Sequence, residues 1–136
     1  MRRYVPDYSD AGISRERYQE LLHFARQYPE WTAKAEECLG PTAVRLSADG
    51  SSHGSGVSDP TLQAVVRRER YEAKRSMVDK AAIAAGGEEW HTTLILNVCY
   101  GRPLWQLDQA AMPTSDRNSY YRVRKRFFVE LNRLTD

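Results

Sequence analysis

The C-terminal stretch of the chain concentrates side chains that can hydrogen-bond to DNA. Residues 114–136 contain six lysines and arginines but only three acidic residues. Arginine can pair with the edge of guanine, and asparagine can pair with the edge of adenine. Lysine and arginine also bind phosphate oxygens. These residue types predict a surface that reads duplex DNA. The residues predicted to contact DNA are Ser115, Arg117, Asn118, Tyr121, Arg122, Arg124, Lys125 and Arg126.

The spacing of apolar residues places these side chains on one helix. Apolar residues recur every three or four positions between residues 120 and 134, which predicts a helix over about residues 116–134 with a buried stripe. Arg117 and Asn118 then lie at the start of the helix, where base edges are usually met, and Arg122 and Lys125 lie further along, nearer to phosphates. The predicted stripe consists of Tyr120, Val123, Phe127, Leu131 and Leu134.

A second, shorter helix is predicted just before this one. Pro103 can open a helix over residues 103–111, and Thr114 or Ser115 can cap the helix that follows the break at residues 112–115. A short helix, a break and a longer basic helix form the layout of a helix-turn-helix, here over about residues 103–134. The alternative is a purely structural role, in which a basic amphipathic helix packs on a core and exposes a solvated face. The break also lacks the glycine that many such turns contain.

Groups that could catalyse a reaction are scattered. His23, His53 and His91 have no Asp, Cys or Ser at a spacing that suggests a triad or a metal site. The two cysteines, Cys38 and Cys99, lie too far apart to suggest a zinc knuckle. The sequence therefore predicts neither an enzyme nor a bound metal or cofactor.

The upstream elements are also predicted to be helical. Ser14 is a candidate N-cap for a helix over residues 14–27, and Pro29 suits the first turn of a second helix that ends at residues 40–41. Small polar residues make residues 47–58 a predicted flexible linker. A long helix over residues 59–85 follows, and another helix begins at Glu88 and ends near Gly101.

These elements together predict an all-α fold. We expect an N-terminal helical pair in residues 1–46, the linker, and a C-terminal helical DNA-binding region in residues 59–136. The 136 residues, 28% of them charged and 41% hydrophobic, suit one compact unit. No apolar run approaches the ~20 residues that a membrane span needs, and the first residues do not resemble a signal peptide. We therefore expect a cytoplasmic protein without a membrane partner.

Several motifs resemble those of one phage family. They are the segment from Tyr8 to Leu21, the segment from Gly54 to Thr61, Met112-Pro113, and the segment from Tyr120 to Phe128. Over most of its length the chain resembles small phage and prophage proteins of Gram-positive bacteria, grouped with the ArpU/RinA-type late transcription regulators. The C-terminal part of those regulators is similar to the promoter-reading domain of sigma factors. The resemblance implies a bacterial host and places residues 121–128 in a DNA-reading helix.

Three functions remain open at this stage. The favoured one is a transcriptional regulator that binds double-stranded DNA with its last helix. A small terminase-like packaging protein would also be helical but would form a ring. A protein-interaction module would instead use the helix over residues 59–85, either to bind a partner such as RNA polymerase or to self-associate through a stripe of Leu62, Val66, Ala73 and Met77.

Overall fold

The fold is helical throughout the part of the chain that the structure describes. This computed structural model describes residues 6–38, 60–108, 112–114 and 116–136, and no β-strand occurs among them. The predicted all-α class is therefore confirmed. The helices are α1 (Arg15–Ala25), α2 (Tyr28–Glu37), α3 (Pro60–Gly86), α4 (Glu88–Leu94) and α5 (Arg117–Thr135). Shorter turns are the 3₁₀ turns Ser9–Ala11 and Leu104–Gln106 and the π turn Ile95–Cys99, which continues α4.

The start of α1 follows the sequence signals. The hydroxyl of Ser14 accepts a hydrogen bond of 3.1 Å from the backbone N–H of Arg17, which satisfies one of the free donors at the helix start. Ile13 and Tyr18 are both buried on either side of this cap, as a hydrophobic staple requires. The predicted N-cap is confirmed.

The chain divides into two compact units that are not continuous in sequence. One unit comprises residues 28–76, which contain α2 and the first part of α3, and the other comprises residues 1–27 and 77–136. The predicted linker at 47–58 lies outside the described residues. The predicted division into residues 1–46, 47–58 and 59–136 therefore stays a prediction.

In the unit of residues 28–76, α2 packs against α3 through pairs of cations and aromatic rings. Lys34 lies over Tyr71, Lys74 over Trp31, and the guanidinium of Arg75 lies 5.2 Å from the ring centroid of Tyr28. In these pairs the residue numbers increase along α2 while they decrease along α3, so the two helices run antiparallel here. Each such contact contributes ~0.5–1 kcal/mol at partly exposed sites.

The core of the other unit is built around the inner face of α5. Tyr120, Val123, Phe127 and Leu131 are buried there, as the predicted stripe requires, but Leu134 near the helix end is 41% exposed. Phe128, outside the predicted stripe, is buried as well. From α3 this core receives the small residues Val78, Ala81, Ala82 and Ala85.

One predicted helix differs from the structure. In the described residues 103–108, the 3₁₀ turn Leu104–Gln106 stands where a helix over residues 103–111 was predicted, because Leu107 adopts an extended backbone with ψ of 157° directly after Gln106. Leu62, Val66 and Ala73 of the stripe considered for self-association are exposed on α3. In the described residues, no helix combines the length and apolarity that a bilayer crossing demands.

Candidate nucleic-acid interface

The start of α5 is fixed by Asp116. Its carboxylate accepts hydrogen bonds of 3.1 Å from the backbone N–H of Asn118 and of 3.1 Å from the hydroxyl of Ser119. Thr114 in turn accepts from the backbone N–H of Asp116. The N-cap is therefore Asp116, and not Thr114 or Ser115 as predicted. Of those candidates, Ser115 lies outside the described residues.

The inner face of α5 is locked against α1, α4 and the π turn. The hydroxyl of Tyr120 donates a 2.6 Å hydrogen bond to the Asn97 side chain in the π turn, and its ring lies 5.9 Å from that of Trp90 in α4. Burial raises the pKa of the Tyr120 phenol, so this hydroxyl remains a donor. Phe128 packs edge-on against Tyr18 of α1. These contacts hold α5 rigidly and fix the direction of its outer face.

Arg124 lies inside the molecule. It is 8% exposed, and its guanidinium donates a 2.9 Å hydrogen bond to the Tyr18 hydroxyl and lies 5.0 Å from the centroid of Phe128. The sequence analysis predicted that this side chain contacts DNA. Its contacts instead join α5 to α1 across the core.

The outer face of α5 exposes several of the predicted DNA-binding side chains. Arg117, Asn118, Arg122 and Arg126 are all exposed. Arg122 and Arg126 border a shallow hollow of about 460 Å³ on one flank of the helix. Tyr121 is half-buried and lies on the opposite flank with Arg117.

Lys125 belongs to the same face but already has an anionic partner. Its ammonium group donates a 2.5 Å hydrogen bond to the carboxylate of Asp10. This contact lowers the pKa of Asp10, so its carboxyl group is ionised at neutral pH. Lys125 must exchange this carboxylate for phosphate if it is to contact DNA.

A larger cleft opens on the flank of α5 that carries Arg117. The arginine cleft, as we call it, has a volume of about 850 Å³ and contains Arg15 of α1, Arg26 directly after α1, Arg102, and Arg117 and Arg124 of α5. His23, Trp105 and Tyr121 also line it, and none of the described lining residues is acidic. The structure thus brings three predicted residues together with basic side chains from two other elements.

The π turn positions the third element of the cleft. The backbone N–H of Arg102 donates to the carbonyl of Leu96, and the side-chain amide of Asn97 donates a 2.8 Å hydrogen bond to the carbonyl of Arg102. Gly101 makes the turn possible with φ of 69°, a conformation that favours glycine. π turns occur frequently at functional sites.

The sequence analysis missed Arg15, Arg26 and Arg102. A sequence pattern could have revealed the first two, because Arg15, Gln19, His23 and Arg26 recur at spacings of four, four and three along one side of α1 and the residue that follows it. Nothing in the sequence placed that side of α1 beside α5. No local pattern pointed to Arg102, whose position depends on the π turn.

One histidine has a partner that sequence spacing did not reveal. Nε2 of His91 lies 2.7 Å from a carboxylate oxygen of Asp79, which joins α4 to α3. Within the described residues, no three His, Cys, Asp or Glu side chains are grouped to hold a metal ion. The structure places the His91–Asp79 pair between two packed helices, where it links them.

Comparisons of the chain with protein-family models, with curated proteins and with solved structures find no match. The resemblance to the ArpU/RinA-type regulators therefore rests on the sequence motifs alone.

Proposed function

We propose that this protein binds duplex DNA through the outer face of α5 and acts as a phage-type transcription regulator. The observation that carries the proposal is a helix that is held by its buried face and exposes Arg117 and Arg122 without a described partner, whereas Arg126 donates to the carbonyl of Ala85. Arg122 lies in the middle of the outer face, and neither an ion pair nor a side-chain hydrogen bond to another described residue engages it. Because the backbone of α5 is already ordered, only the side chain of such a cation has to be ordered when it binds a phosphate.

The polarity of the helix supports the same proposal. Arg117 and Asn118 are exposed in the first turn of α5, which is the part of a recognition helix that enters the major groove. Arg122 and Arg126 follow at spacings that keep them on the outer side, where they can bind the backbone beside the groove.

In this proposal the helix that braces α5 is α4 with its π turn, and not the segment predicted over residues 103–111. Trp90 and Asn97 supply the contacts to Tyr120. The connection between the two helices is longer than in a compact helix-turn-helix. Leu107 and Met112 within this connection are buried.

A selection from random duplexes tests this function. Purified protein is used to enrich bound sequences, and affinity for the enriched duplex is measured by fluorescence anisotropy. Arg117→Ala is expected to cost ~1–3 kcal/mol on the enriched duplex and much less on a scrambled one, whereas Arg122→Ala weakens both alike. Failure of the parent protein to enrich or bind any duplex would contradict the proposal.

A protein-interaction role is a second candidate, favoured by the first turns of α3. Leu62, Val65 and Val66 are 61%, 43% and 41% exposed, which leaves apolar surface open at one end of the helix. If this surface mediates self-association, sedimentation at micromolar concentration shows a dimer or larger assembly that Val66→Asp dissociates. A strict monomer unaffected by this substitution removes self-association.

A further inference from the structure

We propose that the arginine cleft binds a nucleotide, with its phosphate on the arginines and its base stacked on Trp105. The ligand is either a free nucleotide or an unpaired nucleotide of a nucleic-acid strand, since both present the same phosphate and base. This site is separate from the outer face of α5 that we propose for duplex DNA, and the two share only Arg117.

The positive charge of the cleft favours an anionic ligand. Arg15, Arg26, Arg102 and Arg117 are exposed, and their side chains form neither an ion pair nor a hydrogen bond with any other described residue. By contrast, Lys125 and Arg133 of α5 each lie against a carboxylate. Like charges drawn into one concave surface repel each other, and a phosphate group removes that repulsion while accepting paired hydrogen bonds from guanidinium groups.

Trp105 supplies a platform for a base. It is 70% exposed, whereas the other two tryptophans, Trp31 and Trp90, are 3% and 7% exposed. The 3₁₀ turn Leu104–Gln106 holds it at the edge of the cleft, and the buried side chain of Leu107 anchors the end of that turn. A fixed, exposed indole can stack on any base, because every base presents a π face.

The size and floor of the cleft also suit a nucleotide. Its volume of about 850 Å³ lies within the ~300–1,000 Å³ range of small-ligand sites. Gln19, Asn97 and Tyr121 line it with amide and hydroxyl groups that can hydrogen-bond to a base edge or sugar. Arg124 closes the floor, where its bond to Tyr18 holds a positive charge beneath the site.

The test is calorimetric titration of the full chain with thymidine monophosphate, inorganic phosphate and a short oligothymidylate. We expect the nucleotide to bind more tightly than phosphate. Trp105→Ala should weaken nucleotide binding about tenfold and leave phosphate binding unchanged, because stacking on the indole is lost. Arg102→Ala should weaken both. Tighter binding of the oligothymidylate than of the monophosphate identifies a strand as the source, and equal or weaker binding identifies the free nucleotide.

The matched control is Arg122→Ala, which removes one exposed arginine outside the cleft and should leave nucleotide binding unchanged. Thermal melts of all variants verify that they fold. Duplex binding measured on the same set separates the two proposals, since Trp105→Ala should spare it and Arg122→Ala should weaken it. The nucleotide proposal is overturned if the parent protein binds nucleotide no better than phosphate, or if Trp105→Ala and Arg102→Ala both bind it like the parent.

Discussion

Two neighbouring residues of α5, Arg124 and Lys125, have different roles because they lie on different faces of the helix. The sequence alone did not distinguish these roles. Successive residues on a helix point about 100° apart. Arg124 therefore points into the core towards Tyr18, and Lys125 points outward to Asp10. Both were expected to contact DNA, but only Lys125 lies on the outer face.

Replacement of Arg124 by methionine should destabilise the fold. The methionine side chain would keep much of the packing but would leave the Tyr18 hydroxyl without this donor, at a cost of ~1–3 kcal/mol for a buried polar group. Thermal unfolding followed by circular dichroism measures the effect, with the exposed Arg122→Met as the control. Equal melting temperatures for the two variants would show that the contact of Arg124 with Tyr18 does not stabilise the protein.

Replacement of Asp10 by asparagine should strengthen duplex binding. The carboxylate of Asp10 competes with phosphate for Lys125, and the substitution removes that competition together with one negative charge close to α5. We expect affinity for a duplex to rise a few-fold at low salt, measured by anisotropy. As a control, Glu37→Gln removes one exposed negative charge from α2. A gain no larger than that of Glu37→Gln would contradict a role for Lys125 in DNA binding.

The thiol of Cys99 should resist alkylation in the folded protein. Burial, with a smaller contribution from Asp79, raises the pKa of Cys99 to about 12, so almost no thiolate forms at pH 8. Iodoacetamide labelling followed by mass spectrometry should modify Cys99 only after unfolding. Because the unfolded thiol loses its proton near pH 9.0, this group stabilises the fold fully below that pH and progressively less as the pH rises towards 12. Rapid labelling of Cys99 in the native state would contradict this burial.

At the scale of the elements, α3 can approach α5 because it ends on a glycine. A Cβ atom built on Gly86 would lie 2.7 Å from Cγ1 of Val123 and 2.8 Å from Cβ of Trp90. These separations are too short for carbon atoms in contact. The end of α3, the start of α4 and the middle of α5 therefore meet at a point where no side chain fits.

Gly86→Ala should therefore lower stability, although alanine is the better helix former. The propensity gain of ~1 kcal/mol is opposed by an overpacking cost of ~1–3 kcal/mol, and movement of Val123 and Trp90 would disturb the support of α5. Thermal melts compare this variant with Ile83→Ala, a change at a nearby exposed position of α3. A melting temperature for Gly86→Ala at or above that of the parent would show that the contact relaxes freely.

The sequence predicted where helices lie in the chain better than it predicted which elements pack against each other. The cap at Ser14, the extent of α3 and the buried stripe of α5 all follow from local spacing, which a single sequence displays. The prediction of a helix that continues beyond Gln106 was wrong, because the apolar spacing there carries only short-range information. In the structure the extended backbone of Leu107 ends the turn. The arginine cleft could not be predicted, since it depends on tertiary contacts between α1, the π turn and α5.

At the scale of the whole molecule, the net charge of +2 conceals an uneven distribution. The outer face of α5 exposes Arg117, Arg122 and Arg126, and the described lining of the arginine cleft contains no acidic residue. The local potential, and not the net charge, determines how strongly such a protein attracts a polyanion. Binding to DNA through these groups releases counterions and must therefore weaken steeply with salt.

The salt dependence of duplex binding tests the central claim most directly. Anisotropy of a labelled duplex is measured from low to physiological salt for the parent, for Arg122→Ala, and for Arg133→Ala, which removes an equal charge paired with Glu130 near the end of α5. We predict a steep linear fall of log affinity against log salt for the parent, a slope smaller by about one unit for Arg122→Ala, and a parental slope for Arg133→Ala. No duplex binding by the parent, or the same slope for parent and Arg122→Ala, would contradict the proposal that the outer face of α5 binds DNA.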